Sequence, residues 1–218
     1  MKYDLVIFDM DGTVLNTLYD INAALNHALA SVGFPPRTVD ETRSFIGNGV
    51  RILLRRAAPE GADDDSLEKL FSAFVKYYGE HLADLTVPYD GIPDLLRRLR
   101  EAGLTVALLS NKADFAVKLL CDRFFPGLFD RAYGARDGIP VKPDPSGTIG
   151  PIRELGVAPE RVLYVGDSHV DLATAHGAGV DCALVGWGYL NQKVELDPER
   201  DVAAATVDDV YRIATKED

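Results

Sequence analysis

The chain has 218 residues, 47% of them hydrophobic, and a formal net charge of -11. That length buries a real core and suits one large domain or two modest ones. The negative balance argues against a nucleic-acid or anionic-membrane partner. It does not exclude an anionic ligand, because a metal ion and a few backbone amides reverse the field locally. Cys121 and Cys182 form no CxxC pair or disulfide framework and fit a reducing compartment. Met1-Lys2-Tyr3-Asp4 leads directly into the first apolar run, and no stretch approaches the length of a bilayer span. The expectation is a soluble, cytoplasmic protein without a signal peptide.

Leu5 to Phe8 is an unbroken apolar run that ends in Asp9-Met10-Asp11-Gly12-Thr13. Such a run reads as a strand buried on both faces of a parallel sheet. Open α/β sheets bind ligands at the carboxyl ends of their strands. Strand alternation starts Asp9 and Asp11 on one side, where their repulsion calls for a cation or a shared proton. Helical spacing follows in Ile21, Ala24, Leu25, Ala28, Leu29 and Val32, with Gly33 as the stop. Thr38 and Glu41 have capping-box spacing. Gly47-Asn48-Gly49 opens an apolar-basic helix, and Asp63 to Ser66 caps a longer one with a stripe from Leu67 to Leu82. Helices in succession without a strand do not belong inside a βαβ layer, so residues 16–87 read as a helical insertion.

From Pro88 the alternation resumes. Ile92–Ala102 is a helix, Leu104–Leu109 a second strand ending in Ser110-Asn111-Lys112, and Ala113–Phe124 a helix that starts there. Arg131–Tyr133, Val162–Val165 and Cys182–Val185 complete a sheet of about five strands, with helices at His169–His176 and Asp208–Ala214. Between Pro145 and Leu155 the expected helix carries Gly147, Gly150 and Pro151, which suggests a late start with Pro151 in the first turn.

Polar groups now stand at Asp9/Asp11, Ser110/Asn111, Lys142 and Asp167/Asp171. Each has a structural reading: Ser110-Asn111 as an N-cap, Lys142 as an exposed lysine, Asp167 and Asp171 as charges at a helix N-terminus. Jointly they supply acid, base, metal ligands, a cation and donors at one sheet edge. His27, His81, His169 and His176 read as solvent or packing histidines.

In order along the chain, Asp9-Met10-Asp11-Gly12-Thr13, Ser110-Asn111-Lys112, Lys142-Pro143 and Gly166-Asp167-Ser168-His169-Val170-Asp171 resemble the four motifs of haloacid dehalogenase-like phosphatases. Ser110-Asn111-Lys112, Gly47-Asn48-Gly49 and Trp187-Gly188-Tyr189 resemble the phosphoglycolate phosphatases among them. The resemblance implies a Rossmann-like α/β core over residues 1–15 and 88–218, with a helical cap domain over 16–87.

It further implies that Asp9 is the nucleophile and forms an aspartyl-phosphate, while Asp11 protonates the leaving alkoxide and then activates water. Mg²⁺ is the implied cofactor, held by Asp9, Asp167 and the Asp11 carbonyl, with Asp171 orienting a bound water or Lys142. Lys142 offsets the phosphoryl charge, and Gly12, Thr13, Ser110 and Asn111 bind the phosphoryl group. Gly47, Asn48, Gly49 and Arg51 of the cap are candidates for substrate contact; the structural alternative is a plain turn with Arg51 on the surface. Asn16-Thr17 and Val87-Pro88-Tyr89, where the chain crosses, are the candidate hinges.

The implied partner is a small phosphorylated metabolite, 2-phosphoglycolate first, acted on by a monomer or homodimer with no nucleic-acid or membrane partner. A β-phosphoglucomutase-like phosphoryl transferase, a pyrophosphatase and a non-catalytic binding protein are the rival readings. A halide-releasing hydrolase has no use for Asp11.

Overall fold

The structure of the chain, a computed structural model, describes residues 1–189 and 194–216. The strands are β1 (Leu5–Phe8), β2 (Leu15–Asn16), β3 (Val87–Pro88), β4 (Thr105–Ala113), β5 (Arg131–Ala135), β6 (Val162–Gly166), β7 (Asp181–Val185) and β8 (Asp201–Ala204). The helices are α1 (Leu18–Ser31), α2 (Val39–Phe45), α3 (Val50–Ala57), α4 (Asp64–His81), α5 (Ile92–Glu101), α6 (Asp114–Phe124), α7 (Ser146–Leu155), α8 (His169–Ala178) and α9 (Val207–Ala214). The chain divides into two compact units, residues 1–15 with 88–218, and residues 16–87. The short strands β2 and β3 pair with each other where the chain crosses.

The first unit is an α/β fold around a six-stranded parallel sheet, ordered β5-β4-β1-β6-β7-β8. β1 lies between β4 and β6, with Leu5 in register with Thr105 on one side and Val162 on the other. All four of its residues are buried, as an unbroken apolar run requires. Burial of each such side chain contributes about 1.5–3 kcal/mol. One core layer joins Leu5, Ile7, Leu109 and Tyr164 of the sheet to Ile152, Leu172 and Ala175 of α7 and α8. From β1 the order runs outward through β4 to β5, then returns to β6 beside β1. The carboxyl ends of β1 and β6 therefore flank the reversal of strand order, where such sheets open a crevice.

Three expectations change. The sheet has six strands instead of about five: β8 is a four-residue strand at the sheet's edge in which only Asp201 and Ala204 are buried. β4 runs on through Ser110, Asn111 and Lys112 to Ala113, held by pairing with Ala135 beyond a register irregularity. Ser110 and Asn111 thus lie in a strand, and α6 begins only at Asp114. α7 starts at Ser146, so Pro151 sits inside the helix and not in its first turn. There it forfeits the bond to the Gly147 carbonyl, while Pro151 is buried and its neighbour Ile152 packs into the core.

The second unit is helical. Thr38 and Glu41 form the capping box of α2, and Asp63 caps α4 by accepting the Ser66 N–H at 2.7 Å. Asp20 on α1, buried, accepts N–H bonds from Leu85 and Thr86 and the Thr86 hydroxyl at 2.8–3.0 Å. Among the described residues no helix is long and apolar enough to cross a membrane.

Candidate active site

The loop after β1 wraps around one carbonyl. Met10 O accepts from the N–H groups of Thr13, Val14 and Leu15 at 3.0–3.3 Å, and Gly12 N–H reaches back to Leu15 O at 3.0 Å. Gly12 holds φ +92°, and a Cβ there would land on Asp167 Oδ2. The loop therefore needs glycine twice over, for its dihedral and for its contact. Asp9 continues β1, donating its N–H to Val165 O at 2.9 Å, which brings it beside the end of β6.

Lys142 joins the two strand ends. Its Nζ lies 2.7 Å from Asp9 Oδ1 and 2.7 Å from Asp171 Oδ1, all three side chains being buried. Asp9, Asp167 and Asp171 each offer an oxygen within 4.8 Å of the others. Asp171 also caps α8: its Oδ2 accepts the N–H groups of Asp167 and Ser168 at 3.2 and 3.1 Å and the Ser168 hydroxyl at 2.6 Å. Both its oxygens are engaged, which suits a residue that orients neighbours. Asp167 Oδ2 accepts the Tyr189 N–H at 2.7 Å. A Cβ on Gly166 would strike Asp171, and one on Gly188 would strike Asp167.

The electrostatics call for a further positive charge. Burial pushes the Asp9 carboxyl up to about 7 against the pull of Lys142, with Asp171 and Asp11 adding to the rise. Burial, then Asp171 and Asp9, hold Asp167 well above the usual carboxylate range. Desolvation works against the Lys142 ammonium, but Asp171 and Asp9 overcome it and raise its pKa. Three buried carboxylates around one ammonium, all offering hard oxygen donors, fit a divalent cation.

The remaining expected residues fall in several places. Ser110 is buried, with its Oγ accepting the Lys112 N–H at 3.2 Å. Asn111 pairs with the main chain of Lys142 through both ends of its amide. Thr13 is buried, and its Oγ1 has no hydrogen-bond partner among the described residues; its carbonyl accepts the Trp187 indole N–H at 3.0 Å. The Asp11 carboxylate is not one of the three in that group; it pairs with Lys112 while its charge still acts on Asp9. Lys112 carried no expected role, although Ser110 and Lys112 are two apart and so share a strand face once β4 is known to extend.

In the helical unit, Gly49 at φ +83° precedes α3, and Asn48 Oδ1 accepts from Arg56 at 2.9 Å. Gly47 adopts φ +119°. Arg51 is exposed, ion-paired to Glu68 and stacked 4.1 Å over the Phe71 ring. Of the histidines, His176 is tied to buried Asp201 at 2.9 Å and His27 stacks on Tyr77.

The haloacid dehalogenase-like hydrolase family matches residues 6–185. A phosphoglycolate phosphatase of Cereibacter sphaeroides is 40% identical over 196 residues, covering 87% of this chain and 88% of that one. One from Pseudomonas putida is 39% identical over 191 residues, covering 85% and 70%. A crystal structure of a predicted phosphoglycolate phosphatase from Haemophilus somnus superposes with a TM-score of 0.89 at 28% identity, over 98% of each chain. With its ordered motifs folded onto one sheet edge, the chain belongs to the haloacid dehalogenase-like hydrolase family, as a phosphoric monoester hydrolase similar to phosphoglycolate phosphatases.

Proposed function

We propose that the protein is a cytoplasmic, Mg²⁺-dependent phosphatase that hydrolyses 2-phosphoglycolate through an aspartyl-phosphate on Asp9. The observation that carries this reading is the close approach of Asp9, Asp167 and Asp171 to one another, with Lys142 paired to Asp9 and Asp171. The names of the relatives support the substrate. In this reading residues 1–15 and 88–218 are the catalytic core and 16–87 the cap domain, whose Gly47, Asn48, Gly49 and Arg51 set substrate preference.

Phosphate monoesters hydrolyse so slowly that enzymes accelerate them by up to about 10²¹. Water approaches a dianion poorly, so two displacements replace one. An oxygen of Asp9 attacks phosphorus, the ester P–O bond breaks, and Asp11 gives its proton to the departing alkoxide. Asp11 then takes a proton from water as that water's oxygen bonds to phosphorus and the bond to Asp9 breaks. Inorganic phosphate and the original Asp9 result. Acid-base help of this kind is worth about 10²–10⁴ in rate. Lys142 offsets charge on Asp9 and the phosphoryl oxygens, and Ser110 with the amides of Gly12 and Asn111 orients the group. Asp9, Asp167 and the Asp11 carbonyl would hold Mg²⁺, with Asp171 behind them; when bound, it supplies positive charge against the phosphoryl oxygens.

The test is phosphate release from a panel of phosphate esters, with Mg²⁺ and with a chelator. 2-Phosphoglycolate should give the highest kcat/KM, only with Mg²⁺, and Asp9→Asn should be inactive while retaining a native circular dichroism spectrum. Substantial turnover by Asp9→Asn rules out the covalent route.

A further inference from the structure

Lysines are seldom buried without a reason, yet Lys112 is 7% exposed. Its Nζ lies 3.1 Å from Asp11 Oδ1. Ordering a lysine side chain costs rotamer entropy. A buried ion pair is commonly no more stabilising than apolar side chains of the same shape. Stability therefore does not explain the pair, whereas direction does. The loop bonds around Met10 O, with the bridge between Asp11 and Leu15, fix the Asp11 main chain and leave its side-chain torsions to be set. Lys112 is itself fixed, since it lies within β4 and its N–H donates to Ser110 Oγ.

Nζ donates to Oδ1, and a carboxyl oxygen can accept that bond whether the group is ionised or protonated. The proton that Asp11 gives and takes is then the business of Oδ2. We infer that Lys112 is a positioning residue for Asp11, holding Oδ1 so that Oδ2 faces the departing oxygen; the inference rests on the acid-base role proposed for Asp11. As the bond from Asp9 to phosphorus forms and the ester bond breaks, the Oδ2 proton passes to the leaving oxygen. It is replaced from water in the second displacement.

A leaving group that is stable as an anion needs no proton, which separates positioning from a general structural role. The measurement is kcat/KM, which reports steps up to release of the alcohol, for phosphate monoesters graded from p-nitrophenyl to simple alkyl. Wild type, Lys112→Met, Lys112→Gln and Asp11→Asn are compared with Mg²⁺ present. Lys112→Met should keep p-nitrophenyl phosphate within about threefold of wild type and lose about tenfold to a hundredfold on alkyl esters, the scale of a small misplacement. Lys112→Gln, which retains a donor, should fall between, and Asp11→Asn should show the steepest dependence on the leaving group. Equal losses across the series, or none, in Lys112→Met beside a steep Asp11→Asn would overturn the inference and leave the phosphatase reading standing. No phosphate release by wild type, or an Asp11→Asn series parallel to wild type, would instead overturn the reading on which it rests. The p-nitrophenyl value shows whether each variant is folded.

Discussion

The Asn111 amide closes a two-bond ring on the main chain of Lys142: Nδ2 donates to Lys142 O and Oδ1 accepts the Lys142 N–H, both at 2.8 Å. Thirty-one positions separate the two residues. The lysine that touches Asp9 is thus tied by its main chain to a strand residue.

Asn111→Ala should consequently affect turnover more than stability. Each hydrogen bond is worth about 1 kcal/mol in stability, whereas a shift of about 1 Å at a charged group costs up to about 10² in rate. The expected result is a kcat lowered about tenfold to a hundredfold with a shift of a few degrees in Tm. Steady-state kinetics and thermal denaturation on one preparation check both.

Gly188→Ala tests the packing around Asp167 separately from backbone strain. The Gly188 φ lies outside the left-handed region, so the cost is the collision of the new Cβ with the Asp167 side chain. Disturbing a group that holds a metal ligand lowers metal affinity about 10–100-fold. A Mg²⁺ titration of activity should show a half-saturating concentration raised by that factor, with the maximal rate partly recovered at high Mg²⁺.

Asp20→Asn replaces an all-acceptor group with one that presents donors to the Leu85 and Thr86 N–H groups. Bonds to a charged acceptor are worth about 1.5–3 kcal/mol, and unsatisfied buried donors add to the loss. A destabilisation of about 2–4 kcal/mol is expected by urea denaturation, without the additivity that counting bonds would suggest.

The first turn of α9 supplies the pH prediction. Asp209 accepts from the Thr206 hydroxyl and N–H, and Arg212 pairs with it, so its carboxyl lies below its ordinary value. A depressed carboxylate stabilises the fold fully above the unfolded pKa of about 3.9 and loses that contribution as pH falls through the folded value. Asp209→Asn should lower Tm at pH 7, and its difference from wild type should shrink below about pH 4. Thermal scans from pH 7 to pH 3 give the comparison; a difference that grows on acidification contradicts it.

Local chemistry determined much of the chain by itself. The apolar tetrapeptide Leu5–Phe8, bounded by the turn signal that follows it, reads as a buried strand, and Thr38 with Glu41 carries the start of α2 in its own spacing. These signals were legible because the partners lie within a turn of one another or repeat with the period of the element. Tertiary structure decided the rest. β8 and the extension of β4 through Lys112 exist because neighbouring strands supply their hydrogen bonds, which no local pattern records. The meeting of Lys142 with Asp9 and Asp171, and of Lys112 with Asp11, depends on strand order and side-chain direction across the sheet. A charge in the sequence has no partner until the fold places one within a few ångströms and removes the water between them.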